Sequence, residues 1–254
     1  FPYTTLFRSG IQIVGAVAST AAITLERATV ERTGAGFSAV ELTAAFAGAF
    51  SATHGSLKTS NYRALHAKDD VTGSILLSMV VVSAAASHAV YIESLTGGTV
   101  DVKRATLTAG GGGSALIVNG AADATSAIAI RDATVSGASQ GVVAGGAFAG
   151  KLSITGGTVA AGTSAALKFL ANVAATTTIS ISNAALSSTS ADAVAVDGDL
   201  AGSLSITGGT VTGSGGHGVS LATLSTATGK VAISGAAVSG SAAAVSISGA
   251  TDAA

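Results

Sequence analysis

The sequence of 254 residues predicts an all-β chain wound as a parallel β-helix, a solenoid of short stacked strands. One phrase recurs along it: apolar, any residue, apolar, then four small or polar residues and a further apolar residue. Two copies, at 152–159 and 204–211, are both spelled LSITGGTV. Along the chain, successive copies of the general phrase lie about 26 residues apart, a period typical of solenoids. Valine, isoleucine and threonine favour strands, and glycine is too frequent for helix interiors.

The central apolar residue of each phrase marks one coil of the predicted solenoid. These anchor residues are Leu25, Leu77, Val102, Ile130, Ile154, Ile181, Ile206 and Ile233. From Leu77 onward neighbouring anchors are 24 to 28 residues apart, whereas Leu25 and Leu77 are 52 residues apart. The wider gap predicts one degenerate coil, which we expect to run through residues 57–59, with a protruding loop in the polar stretch 54–70. Eight to nine coils at the strand spacing give a rod roughly 40 Å long.

A second alternating pair of apolar residues follows each anchor by about 13 residues, as at Val90/Ile92 and Val194/Val196. Alternation with a period of two predicts strands with one buried face. Each coil therefore contains two or three short strands separated by turns of Gly, Ser, Thr and Asn. A β-sandwich would also alternate, but it would not repeat one phrase at one period. The phenylalanines expected to fill the interior are Phe37, Phe46, Phe50, Phe148 and Phe169.

The first nine residues differ from the rest of the chain. They read FPYTTLFRS, resemble the translated end of a sequencing adapter, and contain the single proline. We therefore interpret 1–9 as a non-native leader, and 10–254 as one β-helical domain truncated at both ends.

The composition argues against several classes of function. Charged residues make up 10% of the chain and the net charge is -1, which disfavours nucleic acid as a partner because phosphate binding needs a basic surface. Cysteine is absent, which excludes disulfides and thiolate chemistry. The four histidines lack the spacing of a metal-ligand set, and no apolar run is long enough for a membrane helix. We expect no cofactor.

The repeated phrase resembles that of known β-helical proteins. Residues 204–221, LSITGGTVTGSGGHGVSL, look like the generic repeat of right-handed, pectin-lyase-like parallel β-helices. The passenger region of pertactin-like bacterial autotransporters has a residue pattern similar to that of residues 23–30, 97–107, 114–120 and 128–135. The resemblance covers residues 10–254 and implies a single-stranded, right-handed helix that is secreted or held at the bacterial outer-membrane surface. The chain lacks an Arg-Gly-Asp motif and a proline-rich stalk.

The same resemblance implies a function and its partners. A passenger of this kind is an adhesive or structural display rod, and its partners are glycans or proteins on host or neighbouring cells. Membrane contact would come only through a translocator beyond residue 254. A flat surface for ice is a weaker alternative, because the row through Thr155 and Thr207 is interrupted.

Equal offsets from the anchors place residues of neighbouring coils one above the other. Asp192 and His217 each lie 11 residues after an anchor, on adjacent coils, so we expect them to be neighbours within hydrogen-bonding reach. The Gly-His-Gly at 216–218 after Asp192 resembles the motif of polygalacturonase-type glycosidases, which are also β-helices. An inverting glycosidase needs two carboxyl groups, but Ala191 and Ala165 stand where a second acid is expected. A polysaccharide-active enzyme, or a degenerate relative of one, is therefore the alternative to the display rod.

Two aspartates in a glycine turn form a candidate metal site. Asp197 and Asp199 flank Gly198, and paired carboxylate oxygens in such a turn can bind calcium. The repeated nonapeptide of calcium-binding β-rolls does not occur, so an ordinary solvated turn is the other interpretation.

The most charged predicted surface is a candidate ligand-binding patch. It consists of Lys103, Arg104, Arg131 and Asp132. Equal offsets predict an ion pair between Arg104 and Asp132, with Lys103 beside Arg131. A small patch for acidic glycans and a solvated turn are both open, since exposed ion pairs contribute little stability.

Overall fold

The computed structural model describes residues 5–7, 10–34 and 36–251, and this part of the chain contains thirty β-strands and no helix. The first ten strands are β1 (Thr5–Phe7), β2 (Ile11–Ile13), β3 (Ala22–Glu26), β4 (Ala28–Arg32), β5 (Val40–Leu42), β6 (Ala49–Thr53), β7 (Ser56–Thr59), β8 (Leu65–Val71), β9 (Ser74–Ser78) and β10 (Val81–Ala84). The next ten are β11 (Val90–Leu95), β12 (Thr99–Lys103), β13 (Thr106–Ala109), β14 (Leu116–Val118), β15 (Ala127–Arg131), β16 (Thr134–Gly137), β17 (Val142–Ala144), β18 (Lys151–Thr155), β19 (Thr158–Ala161) and β20 (Leu167–Phe169). The last ten are β21 (Thr178–Ser182), β22 (Ala185–Ser188), β23 (Val194–Leu200), β24 (Ser203–Thr207), β25 (Thr210–Gly213), β26 (His217–Ser225), β27 (Lys230–Ser234), β28 (Ala237–Gly240), β29 (Ala243–Ile247) and β30 (Ala250–Thr251).

These strands form three parallel sheets that run the length of the rod. Sheet I contains β3, β6 and every third strand up to β27. Sheet II runs in the same way from β1 to β28, and sheet III runs from β2 to β29, with β30 beside β26. A coil therefore passes through sheets I, II and III in turn, and nine full coils lie within the described ranges. The predicted all-β parallel solenoid with a period of about 26 residues is confirmed.

The anchor residues stack along sheet I in the predicted register. Their pairing runs without interruption from Leu77 to Ile233. Between Leu25 and Leu77 the missing anchor is Ala52 in β6, where alanine replaces the large apolar residue of the other coils. The degenerate coil therefore exists and runs through residues 57–59 as expected, since these residues belong to β7, the sheet II strand of the same coil.

The polar stretch 54–70 does not form a protruding loop, so that expectation is wrong. It contains β7 and most of β8, and β8 pairs with β5 and β11 along sheet III. Leu65 and Ala67 belong to the interior core, whereas His66 lies between them on the outer side of the strand and is still only 2% exposed. A β-bulge opposite β11 then interrupts the alternation near Lys68. The outward residues of this strand are polar and the bulge interrupts its alternation, so the sequence pattern did not indicate a strand here.

The interior of the rod is a continuous apolar stack. Inward and outward residues alternate along the strands, as the burial of β18 and β24 shows. Phe46, Phe50, Phe148 and Phe169 are fully buried, and the last two meet edge to face with ring centres 5.4 Å apart. Phe37 is 52% exposed, so the expectation that it fills the interior is wrong.

A left-handed residue forms the corner between sheets I and II in each of the nine coils. These corner residues, with φ between 48° and 64°, are Arg27, His54, Met79, Arg104, Asp132, Gly156, Asn183, Gly208 and Gly235. In the copies of TGGT at 155–158 and 207–210 both glycines have positive φ, and a Cβ atom on Gly209 would lie 2.2 Å from the carbonyl oxygen of Ala184. The corner therefore explains why the repeated phrase contains glycine.

Candidate functional site

Asp192 and His217 are in contact, as the stacking of the coils predicted. Asp192 Oδ1 accepts a hydrogen bond of 2.6 Å from the backbone N–H of His217 and lies 3.0 Å from its Nδ1 atom. The two side chains are 25% and 31% exposed, so both reach the surface. One carboxylate thus holds both the backbone at the start of β26 and the imidazole above it.

The stacked positions around this pair carry no second acid. Ala243 is paired with His217 on the next coil, and Ala165 occupies the equivalent position on the coil before Asp192. A single carboxylate cannot serve both as the acid that protonates a leaving oxygen and as the base that activates water. The predicted contact is confirmed, whereas a catalytic role for the pair stays a prediction.

Arg104 and Asp132 do not form the predicted ion pair. Both are corner residues, with φ of 48° and 50°. Asp132 Oδ1 lies against Gly156 of the following coil, only 2.3 Å from where a Cβ atom on that glycine would be. The carboxylate therefore leans away from Arg104, which belongs to the preceding coil. Stacking gave the correct backbone neighbours but not the direction of the side chain.

Lys103 and Arg131 are paired positions in β12 and β15, as predicted. Arg131 Nη2 forms an ion pair of 2.8 Å with Asp101 Oδ2, and the two side chains are 50% and 31% exposed. An exposed pair of this kind contributes little stability, because solvent screens it. Binding of acidic glycans by Lys103, Arg104 and Arg131 stays a prediction.

The two aspartates of the candidate metal site lie on a bulge of β23. Val196 still pairs with β26 in register, but the register shifts before Asp199. Asp197 Oδ2 is 3.1 Å from Lys168 Nζ, and the Asp199 N–H donates a hydrogen bond to Asn172 Oδ1. Within the described ranges no three His, Asp or Glu residues converge to hold a metal ion. Calcium binding by Asp197 and Asp199 stays a prediction.

A cluster of charged and aromatic residues on the described part of the rod was not predicted. It lies on the outer side of sheet III in the first three coils, and we call it the Arg63–His66 cluster. Its members are Glu41, Arg63, His66, Lys68, His88, Tyr91 and Glu93. Glu41, His66 and Tyr91 form one stacked row, since they are paired positions of β5, β8 and β11.

His66 lies at the centre of this cluster. Arg63 Nη1 is 3.0 Å from His66 Nε2, and the guanidinium carbon lies 3.7 Å from the centre of the Tyr91 ring. Glu41 Oε2 is 3.9 Å from His66 Nδ1, and Glu93 Oε1 is 3.8 Å from His66 Nε2. The imidazole therefore has a carboxylate from the coil on either side near its two nitrogens, with a guanidinium against it.

Glu41 joins this cluster to the neighbouring coils. Its side chain is 3% exposed, and Oε1 accepts hydrogen bonds from Gln12 Nε2 at 3.0 Å and from Lys68 Nζ at 2.9 Å. Oε2 is buried with no hydrogen-bond partner among the described residues. The bulge in β8 falls at Lys68, and bulges often re-aim a side chain. Here it accompanies a lysine that reaches back one coil to Glu41.

Burial and the arginine charge determine which groups of the cluster are charged. Burial, reinforced by Arg63, lowers the pKa of His66 to about 4. The same two causes lower the pKa of His88. Burial alone would raise the pKa of Glu41, but its hydrogen bonds outweigh burial and lower the pKa. Burial also raises the pKa of Tyr91. At neutral pH, His66 is therefore uncharged beside an ionised Glu41.

A signal for the cluster is present in the sequence. The second apolar pair, Val90/Ile92, stacks on Leu65/Ala67 and then on Val40/Leu42. The residue between the members of each pair is Tyr91, His66 or Glu41, so extending the second register by two coils places these residues in one row. The second coil has Ala52 in place of a large apolar anchor, so the repeated phrase does not mark the register of His66 in the sequence.

Comparisons with known proteins do not identify a family. The described residues contain no helix that is long and apolar enough to cross a membrane. The structure by itself shows the parallel β-solenoid. The chain matches no protein-family model, no curated protein and no solved structure with which it was compared.

Proposed function

We propose that this chain is a β-helical segment of a secreted or bacterial cell-surface protein, acting as a rod that displays an adhesive face to glycans or proteins of other cells. The observation that carries the proposal is the concentration of charged and aromatic side chains in the Arg63–His66 cluster. Elsewhere the outward residues are mostly Ser, Thr and Ala. Binding residues that are concentrated on a rigid scaffold are typical of recognition surfaces.

The scaffold suits display because each coil is hydrogen-bonded to its neighbours in three sheets. Such a rod holds its lateral face at a fixed distance from its ends. A cavity of about 210 Å³, lined in part by Gln12, Phe37 and Glu41, adjoins the cluster. Phe37 is an exposed aromatic ring beside that cavity, and aromatic rings are common contact residues in interfaces. The resemblance to autotransporter passengers supports the same function.

Binding by the full chain tests the proposal. The chain is applied to an array of glycans and extracellular-matrix proteins, and the affinity of each ligand found is measured for two variants of partly exposed residues. One is Glu93→Gln in the cluster, and the other is Tyr62→Ala at its edge, where the Tyr62 hydroxyl accepts a hydrogen bond from Arg63. We expect either change to weaken binding by about tenfold, which corresponds to 1.4 kcal/mol. Glu31→Gln and Leu170→Ala remove an exposed carboxylate and an exposed apolar side chain elsewhere, so they are matched controls.

Two outcomes would refute this proposal. One is that the folded chain binds no glycan, matrix protein or second copy of itself. The other is that Tyr62→Ala and Glu93→Gln bind as tightly as the controls, which would place recognition on a different face.

The second candidate function is action on a polysaccharide at the Asp192–His217 pair. The observation that favours it is a hydrogen-bonded carboxylate and imidazole that are both partly exposed. Release of reducing ends from polygalacturonate, abolished by Asp192→Asn, would support this function over adhesion. Absence of release by the folded chain would leave the pair as a structural contact at the start of β26.

A further inference from the structure

We propose that the Arg63–His66 cluster is an acid-operated latch: proton uptake by His66 expels Arg63 from its contact with His66 and uncovers the face of Tyr91. The inference does not depend on the proposed adhesive function, because it concerns a rearrangement within the chain. It rests on the contacts of His66 with the coil on either side.

The first support is the position of Arg63. Its Nη1 atom is 3.0 Å from His66 Nε2 and 3.4 Å from Nδ1, so the guanidinium lies close to both ring nitrogens at once. A proton on the imidazole would therefore place two cations at this short distance, and their repulsion would drive the guanidinium away. Arg63 Nε is also buried with no hydrogen-bond partner among the described residues, so the closed position leaves one of its donors unsatisfied.

The second support is the pair of carboxylates on either side of the ring. Glu41 Oε2 on β5 and Glu93 Oε1 on β11 are too far from His66 for hydrogen bonds, at 3.9 Å and 3.8 Å. Glu41 Oε2 is buried and has no hydrogen-bond partner among the residues that the structure describes, so a protonated His66 is the donor that would satisfy it. A small movement of the ring would give each of its N–H groups a carboxylate partner.

The remaining charged and titratable groups around the ring either oppose the protonation of His66 or have no direct contact with its imidazole. Lys68 on β8 is held by Glu41 Oε1, and it disfavours the charged imidazole at neutral pH. His88, which precedes β11, accepts a hydrogen bond from the backbone N–H of Ser114 and lies against Tyr91 rather than against a carboxylate. The burial that lowers the pKa of His66 to about 4 sets the range of pH in which the latch opens.

Opening the latch would change the surface. The Arg63 guanidinium now covers the Tyr91 ring, which is 8% exposed. Arg63 is only partly buried and Tyr62 OH already accepts a hydrogen bond from it, so an outward path is open. Departure of Arg63 would expose an aromatic face that is closed at neutral pH.

Hydroxyl-radical labelling of the full chain, read by mass spectrometry at pH 7 and pH 4, tests the proposal. We expect labelling of Tyr91 to rise several-fold at pH 4, where about half of the His66 side chains are protonated, against about one in a thousand at pH 7. Phe148 is buried in the core, and it should stay unlabelled at both values. Circular dichroism at both values checks that the sheets persist.

Variants identify the group responsible. His66→Gln keeps an acceptor for Arg63 but cannot be protonated, so Tyr91 should stay protected at both pH values. Arg63→Leu removes the cover, so Tyr91 should be labelled alike at both values, and this variant is informative even if His66→Gln does not fold. His88→Gln is the matched control, in which the acid-dependent rise should persist.

Three results would each overturn the proposal. Unchanged labelling of Tyr91 in the folded wild-type chain between pH 7 and pH 4 is the first. An equal rise in wild type and His66→Gln is the second. The third is labelling of Phe148 together with Tyr91, which would show general loosening of the coils.

Discussion

Acidification should cost this protein stability through one buried histidine, and His66→Gln should remove that cost. Burial, reinforced by the charge of Arg63, places the folded-state pKa of His66 near 4, below the ordinary value of 6.5. A base with a lowered folded-state pKa binds its proton more readily in the unfolded chain. The stability that His66 contributes is therefore complete above pH 6.5 and is lost as the pH falls towards 4.

The two pKa values fix the size of the effect. Proton linkage between 6.5 and about 4 gives a loss of about 2 kcal/mol between pH 7.5 and pH 5, and of about 3 kcal/mol by pH 4. The comparison is best made at pH 5, because Glu41 has a lowered pKa and is ionised in the folded chain there. His88 also has a lowered pKa and contributes in the same direction, so wild type alone does not isolate His66.

Urea unfolding of wild type and His66→Gln at pH 7.5 and pH 5 measures the effect. The difference between the two proteins in their acid-induced loss should be about 2 kcal/mol, or about 0.7 M in midpoint for a slope near 3 kcal/mol per M. Repeat arrays can unfold in parts, so the transition is followed by circular dichroism and by tyrosine fluorescence. The exposed His54, replaced by Asn, is the control and should lose as much stability as wild type. Equal losses in wild type and His66→Gln would refute the assignment to His66.

Three further predictions concern the scaffold. Met79→Gly should be about 1 kcal/mol more stable than Met79→Ala, because φ is 51° at this corner. The melting temperatures of the two variants check this, and equal melting temperatures would contradict it. Phe148→Ala should lower the free energy of unfolding by about 3–5 kcal/mol, since the ring is buried against Phe169, whereas Phe148→Leu should cost less; urea midpoints compare them, and similar costs would count against tight packing there. Asp123→Ala should cost about 1 kcal/mol, because Oδ1 accepts hydrogen bonds from the Ser126 hydroxyl and from neighbouring N–H groups. These bonds, led by that of Ser126, lower the pKa of Asp123 to about 2, so its contribution should be present above pH 3.8 and disappear towards pH 2, as melting curves of wild type and variant can show.

The period of the sequence was enough to predict the backbone of most coils. Inward residues must be apolar and must recur once per coil, so the anchors from Leu77 to Ile233 determine which strands pair. The same arithmetic predicted the contact between Asp192 and His217, because a carboxylate placed one coil below an N–H group can accept its hydrogen bond. Strand register is thus readable from the sequence wherever large inward residues mark it.

The same short sequence can occupy different positions in the coil. Gly-Gly-Thr-Val occurs at 97–100 and at 156–159. At 156–159 the glycines form the corner between sheets I and II, whereas at 97–100 they precede β12 at the entrance to sheet I. Both corners require a residue with positive φ, so the local turn is similar although its position is not. Side-chain direction is a further property that the period does not contain, as Asp132 shows by leaning over Gly156.

The Arg63–His66 cluster could not be recognised from polarity alone, because Glu41, His66 and Tyr91 at its centre are polar or amphipathic, point outward and are nevertheless buried. These three residues are stacked on three successive coils, and the rings of His66 and Tyr91 are 5.3 Å apart. A polar residue in a solenoid sequence normally indicates a turn or a solvated face, and the stretch 54–70 follows that pattern in composition. Only the positions of the neighbouring coils show that His66 is enclosed.

The coil that carries His66 is also the coil in which the repeated phrase fails. Its inward anchor is Ala52, and the adjacent inward position is occupied by Phe50, so a larger ring accompanies the smaller anchor inside the rod. Outside, the same coil contributes Arg63, His66 and Lys68, and the burial of the His66 imidazole carries a cost that a plain Ser/Thr coil would avoid. Departures from local rules are expected where a structure serves a function beyond folding. In this solenoid the regular coils indicate the scaffold, and the irregular second coil is where a function should be sought.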